Sequence, residues 1–135
     1  MPNRAADRFR QAEKDCRHAI ASRNAGDHEW ACFAAQQAAE KAVKALHLFI
    51  GQEAWGHVTA KLLKELPAEL SVPPTLVQKA MVLDTYYIPP RYPDSHPEGA
   101  PFEHYGDLQS REAIAYAGEI LEFVRSQMAG PARGS

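Results

Sequence analysis

Between Trp30 and Ile50 the chain places Ala31, Ala34, Ala35, Ala38, Ala42, Ala45 and Phe49 on one side of a helix that turns 100° per residue. This stripe constrains the fold more than any other feature. Methyl-sized side chains let neighbouring helix axes approach closely, and they leave no room for bulkier residues. Asp27, read as an N-cap, and Gly51, a C-terminal stop, bound the helix. A neighbouring face carries Trp30, Phe33, Gln37, Lys41, Lys44 and Leu48, a mixture of aromatic and polar groups that suits an interface better than a sealed core.

The flanking segments repeat the helical period. From Asn3 to about Asn24 the residues Ala5, Phe9, Ala12, Cys16, Ala19 and Ile20 form one stripe, and Gly26 separates this helix from the next, which predicts a helical hairpin. Val58, Leu62, Leu63 and Leu66 predict a short third helix ended by Pro67. Pro73-Pro74 opens a fourth, striped by Leu76, Ala80, Leu83 and Tyr87, flanked by Val77 and Met81 and closed by Pro89-Pro90. Asp107 is read as the N-cap of a last helix carrying Ala113, Ala117, Ile120, Val124 and Met128. Between Ile88 and Gly106 the sequence IPPRYPDSHPEGAPFEHYG holds five of the ten prolines and shows no apolar period, so a long irregular loop is expected there. The expected fold class is all-α: an up-and-down bundle of four to five helices with a long Pro-rich loop before the last helix. One domain is expected over residues 1–130, with a frayed tail at 131–135.

Composition narrows the function classes. The run Ala42 to Ile50 is interrupted by Lys44 and His47 and is far shorter than the roughly 20 apolar residues that cross a bilayer, so no membrane partner is expected. The charged start has no apolar signal core behind it, which points to the cytoplasm. A net charge of −2 gives no global attraction to nucleic acid, so any RNA contact has to be local. Cys16 and Cys32 are read as reduced, half-buried thiols. None of the six histidines falls into a helical metal-binding motif, and the eight glycines form no phosphate loop, so neither a metal nor another cofactor is expected. Gln36, Glu40 and Lys44 are spaced four apart, the pattern of a solvated face with an ion pair worth a few tenths of a kcal/mol.

Several ordered stretches resemble the HEPN family, the helical domain named for higher eukaryotes, prokaryotes and nucleotide binding. They are the helix carrying QQAAEKAVKAL, His57 before Leu62 and Leu63, the stretch with Tyr86, Tyr87, Arg91, Tyr92, Pro93 and Asp94, and the last helix with AIAYAGEILEFV. The resemblance covers nearly the whole chain. It implies a helical bundle that dimerises and is encoded beside a small nucleotidyltransferase in a two-gene toxin and antitoxin module. It also implies metal-independent ribonuclease chemistry at an arginine and a histidine four to six residues apart, a pattern that Arg91 and His96 fit with four residues between them. An imidazole can move the proton of a 2′-hydroxyl near neutral pH, and a guanidinium can neutralise the charge that builds on the phosphate. Tyr92, Asp94, Lys41 and Tyr87 are the implied contacts to RNA or a nucleotide.

One departure bears on this. Ribonuclease members carry a small polar residue after the arginine, whereas Tyr92 and Pro93 follow Arg91 here. Arg91 is equally readable as a structural partner of Asp94 or of a helix C-terminus, and His96 as a solvated loop residue. Tyr86, Tyr87, Tyr92, Phe102 and Tyr105 either stack on bases or pin the loop to the core. Two functional readings therefore stand: a metal-independent endoribonuclease, and a non-catalytic nucleotide-binding or protein-interaction module that dimerises or pairs with a nucleotidyltransferase.

Overall fold

The alanine stripe is the middle of the molecule. Ala31, Ala35, Ala38, Ala42 and Ala45 are wholly buried, and Ala34 nearly so. In the computed structural model, which describes residues 4–129, the helices are α1 (Ala5–Asn24), α2 (His28–Phe49), α3 (Thr59–Lys64), α4 (Pro74–Asp84) and α5 (Asp107–Ala129). No strand occurs among the described residues. Helix α2 packs along α1 on one side and along α5 on the other, while α4 closes the bundle against α3 and α5. Where α2 presents methyl groups, its neighbours contribute Phe9, Ala12 and Ala19 from α1, and Ala113, Ala117, Ile120 and Val124 from α5. The expected bundle, with its Pro-rich segment before the last helix, is what the chain forms. No helix among the described residues is long and apolar enough to cross a membrane. The expected helix start at Asn3 and the expected tail at 131–135 lie outside the described residues.

The first two helices end in the same way. At the end of α1 the amide of Gly26 donates to the Arg23 carbonyl at 3.0 Å and that of Asp27 to the Ser22 carbonyl at 2.8 Å. At the end of α2 the amides of Gly51 and Gln52 donate to Leu48 and His47 at 2.9 and 2.8 Å. Both glycines have φ near +80°, the left-handed conformation that this closing pattern requires.

Several local expectations are corrected. Asp27 holds the N-cap position of α2, but its side chain makes no capping bond. Asp107 is the first residue of α5 rather than its cap, and its carboxylate accepts from Arg23 at 2.9 Å and Arg111 at 2.8 Å. The Gln109 side chain takes up the Gly106 amide instead, at 2.8 Å. Ile20 is 44% exposed because Ala19, one step round the helix, takes the inward position, and Val58 and Met81 also face outward. Helix α4 stops at Asp84, short of Pro89: the Thr85 hydroxyl donates to the Val82 carbonyl at 2.6 Å, and the Asp84 carboxylate accepts the Thr59 and Ala60 amides at 2.7 and 3.1 Å. Asp84 thus caps α3, satisfying two amides that a helix start leaves free.

The loop before α5 is irregular but built. It contains three short 3-10 turns, Pro89–Arg91, Pro93–Ser95 and Pro101–His104, each opened by a proline whose fixed φ suits a first helical position. Pro90 is buried.

The packing makes a direct prediction. Replacing Ala38 or Ala42 by leucine forces extra carbon atoms into a filled seam, and urea denaturation should show a loss of about 1 to 3 kcal/mol. Unchanged stability would mean that the seam is not close-packed.

Candidate functional site

Arg91 closes the turn Pro89–Arg91, and its side chain lies back over the bundle. Its Nε donates to the Tyr87 carbonyl at 2.8 Å. The guanidinium carbon sits 4.3 Å from the centre of the Phe33 ring, 4.8 Å from that of Tyr87 and 5.3 Å from that of Tyr92. Three aromatic faces thus surround one cation, an attraction of about 0.5 to 2 kcal/mol per favourable contact depending on desolvation. Asp94 is exposed and forms no ion pair with Arg91 among the described residues, so the anticipated Arg91–Asp94 bridge is absent. The contact made instead is the one to a carbonyl just beyond the end of α4.

His96 is half-buried rather than a solvated loop residue. Its Nε2 hydrogen points to the Pro89 carbonyl at 2.8 Å, its ring stacks on His104 at 4.1 Å with planes 4° apart, and it meets the edge of Tyr105 at 5.7 Å. His104 in turn donates to the Glu98 carbonyl. Because a carbonyl can only accept, the bond to Pro89 places the hydrogen on Nε2 and leaves Nδ1 as the nitrogen able to exchange a proton. Arg91 and His96 are therefore each tethered to a backbone carbonyl of one short segment, Tyr87 to Pro89.

The anticipated binding residues separate into two places. Tyr87 and Tyr92 lie with Arg91. Lys41 is ion-paired to Asp15 across the α1–α2 seam at 2.6 Å, in a groove of about 230 Å³ that it shares with Arg8, Gln11 and Lys44. Among the aromatic residues, Tyr86 is buried edge-on to Tyr105 at 6.0 Å and pins the loop, while Phe102 is exposed. Burial pushes the phenols of Tyr86 and Tyr105, and the thiol of Cys32, up to about 12. These groups stay protonated at neutral pH and do not serve as bases. Cys16 and Cys32 are free thiols, the first half-buried and the second wholly so. Among the described residues, no group of three or more His, Cys, Asp or Glu side chains is arranged to hold a metal ion.

The solvated-face reading of Gln36, Glu40 and Lys44 is overturned. Gln36 is wholly buried and Glu40 is 5% exposed. The Glu40 carboxylate accepts from Gln36 Nε2 at 3.0 Å and from Lys44 Nζ at 3.1 Å, and His57 Nδ1 lies 3.2 and 3.1 Å from its two oxygens. Gln37 donates to Gln36 at 2.8 Å. Helical spacing shows that the i,i+4 pair forms, but it is silent on burial, because the segments that cover Glu40 come from elsewhere in the chain. A signal was present in the alanines and valine around Glu40, since Ala39, Ala42 and Val43 leave little polar company for a surface carboxylate. The Phe33 side of the mixed aromatic and polar face of α2 is likewise not wholly free for a partner, because Arg91 of the same chain lies over the Phe33 ring.

Burial changes the energy expected of this cluster. Glu40→Ala leaves Gln36, His57 and Lys44 without their acceptor, and urea denaturation should show a loss of about 1 to 3 kcal/mol rather than a few tenths. Glu40→Gln keeps an acceptor in place and should retain most of the stability. Equal, negligible effects of both substitutions would restore the surface reading.

The comparisons with known proteins agree with the fold. A family model described as the HEPN domain matches residues 5–127. The crystal structure of TT1696 from Thermus thermophilus is 53% identical with a TM-score of 0.91, covering 93% of this chain and 99% of that one. The archaeal HEPN homologue ST0689 is 42% identical with a TM-score of 0.78, over 94% and 99% of the two chains. A HEPN domain protein of Thermotoga maritima, tm0613, is 32% identical with a TM-score of 0.75, over 93% and 99%. No curated protein matches the chain. With a family model spanning all five helices and HEPN structures superposing along nearly their whole length, the chain belongs to the HEPN family.

Proposed function

We propose that this protein is the HEPN component of a cytoplasmic two-gene module with a small nucleotidyltransferase, and that it cleaves RNA without a metal through Arg91 and His96. The observation that carries this reading is the tethering of both side chains to neighbouring carbonyls, Arg91 to Tyr87 and His96 to Pro89, each at 2.8 Å. A guanidinium and an imidazole each held by a carbonyl within residues 87–89 suit general acid and base catalysis. In the reaction the 2′-hydroxyl of the substrate gives its proton to a general base and attacks the adjacent phosphorus, and the P–O5′ bond breaks as the 2′,3′-cyclic phosphate closes. Arg91 offsets the charge on the non-bridging oxygens through its free edge, and His96 gives a proton from Nδ1 to the departing 5′-oxygen. Tyr92 and Tyr87 flank the guanidinium, Tyr92 is exposed and can stack on a base, and Asp94 and Lys41 are the further contacts proposed for the bound strand.

Single-stranded and structured RNAs incubated with the purified protein should give products ending in a 2′,3′-cyclic phosphate, and cleavage should persist in EDTA. His96→Ala should lower the rate by about 100-fold or more with the fold intact. Arg91→Ala should weaken both RNA binding and turnover. Activity retained by the double variant, or abolished by EDTA, overturns the mechanism. Binding of RNA with no cleavage by the wild type selects the non-catalytic binding module instead.

The same reading includes a homodimer. Trp30 on α2 is 50% exposed beside the Phe33 ring, an apolar surface of the kind that two-fold interfaces bury. Light scattering at micromolar concentration should give twice the chain mass of 15.0 kDa, and Trp30→Asp should shift it toward the single chain. A wild-type mass of one chain at every concentration rules the homodimer out.

A further inference from the structure

We propose that His57 is a second proton-transfer residue of the Arg91 site, oriented by the buried carboxylate of Glu40. This rests on the ribonuclease reading and adds to it the base that takes the 2′-hydroxyl proton.

Glu40 is costly where it stands. A carboxylate buried on an alanine-rich helix is tolerated only with several donors, and an apolar residue of similar size in such a place is often as stabilising or more so. The network around Glu40 runs inward to Gln36, which is wholly buried, and outward to Lys44 and His57. His57 is its exposed end: its side chain is 53% exposed, whereas that of Glu40 is 7% exposed. Since a carboxylate only accepts, the contacts at 3.2 and 3.1 Å place a hydrogen on His57 Nδ1. In the neutral ring the lone pair then belongs to Nε2, which has no protein partner among the described residues. A carboxylate that fixes the tautomer and orientation of an imidazole in this way prepares the opposite nitrogen as a base.

The position of the ring links this base to Arg91. His57 stacks on Tyr87 with ring centres 4.5 Å apart and planes 17° apart, and the same Tyr87 ring lies 4.8 Å from the Arg91 guanidinium carbon. One phenol therefore has an oriented imidazole and a phosphate-binding cation as direct neighbours. The backbone on either side is fixed by Asp84, which holds the amides of Thr59 and Ala60, two and three residues after His57, and lies three residues before Tyr87. In the step proposed, His57 Nε2 takes the 2′-hydroxyl proton while the O2′–P bond forms. The P–O5′ bond breaks, and the 5′-oxygen takes its proton from the His96 imidazolium. Solvent then returns a proton to His96 and removes one from His57.

The test compares single-turnover cleavage of an RNA oligonucleotide by the full-length wild type, His57→Gln, His57→Ala and Glu40→Gln. Binding is measured in parallel by fluorescence anisotropy on the same oligonucleotide carrying a 2′-deoxy residue at the cleaved position. His57→Gln should lower cleavage by about 100-fold or more while analogue affinity changes by less than about threefold, and added imidazole should restore part of the rate of His57→Ala. Glu40→Gln should slow cleavage by about 10-fold, and the ¹⁵N resonances of His57 should show the hydrogen shared between Nδ1 and Nε2 instead of held on Nδ1. Wild-type rates in both His57 variants overturn the proposal, as does a loss of analogue binding with no change in the saturated rate. If the wild type cleaves no RNA, the ribonuclease reading fails separately. The ¹⁵N resonance of His57 Nε2 then decides: a shift on titration with the 2′-deoxy oligonucleotide that is lost in Arg91→Ala sustains the shared site, and an unmoved resonance overturns it.

Discussion

The close approach of α1 and α5 to a helix of alanines is the contact on which the remaining structure depends. An alanine seam gives little apolar area per residue, so stability has to come from many short contacts at high packing density rather than from a few large side chains. Leu46, Leu62, Leu63, Leu83 and Ile120 supply the bulk around the seam, and all five are buried. The arrangement leaves α2 enclosed along most of its length. Any polar residue on its covered faces must then find partners inside the protein.

Glu40 is where that requirement is sharpest. It collects donors from its own helix, Gln36 and Lys44, and from the segment before α3, His57. Its position ties the bend at His57 to α2, and Asp84 ties the start of α3 to the end of α4. Two carboxylates thus fix the ends of short elements whose apolar side chains sit in the core. Burial raises Asp84 from its ordinary value, with the Thr59 and Ala60 amides opposing that rise. The amides it satisfies offset part of the cost of its charge, so α3 is placed by this cap together with its buried Leu62 and Leu63.

The helices were legible because their period is local: stripes at steps of three and four give α1, α2 and α5 nearly to their ends, and proline and glycine give the stops. What periodicity does not report is which residues another segment will cover. Gln36 and Glu40 read as surface because i,i+4 spacing looks the same whether or not a loop lies over it, and α4 read as longer because the competition from the Thr85 hydroxyl and the Asp84 cap is a side-chain matter. At the candidate site, Arg91, Tyr87 and Tyr92 are brought together, while Lys41 is engaged with Asp15. The Phe33 platform and the His57–Glu40 contact join residues far apart in sequence, and no motif spacing encodes them.

The prolines that open the three 3-10 turns before α5 have an effect that lies outside the folded state. Each ring restricts its own φ in the unfolded chain as well, so the segment from 89 to 104 starts from a narrower set of conformations and loses less entropy when it orders. The loop that carries Arg91 and His96 therefore needs less from its anchors, Tyr86 and the buried Pro90, in order to form. Its order owes as much to the conformations ruled out before folding as to the contacts made after it.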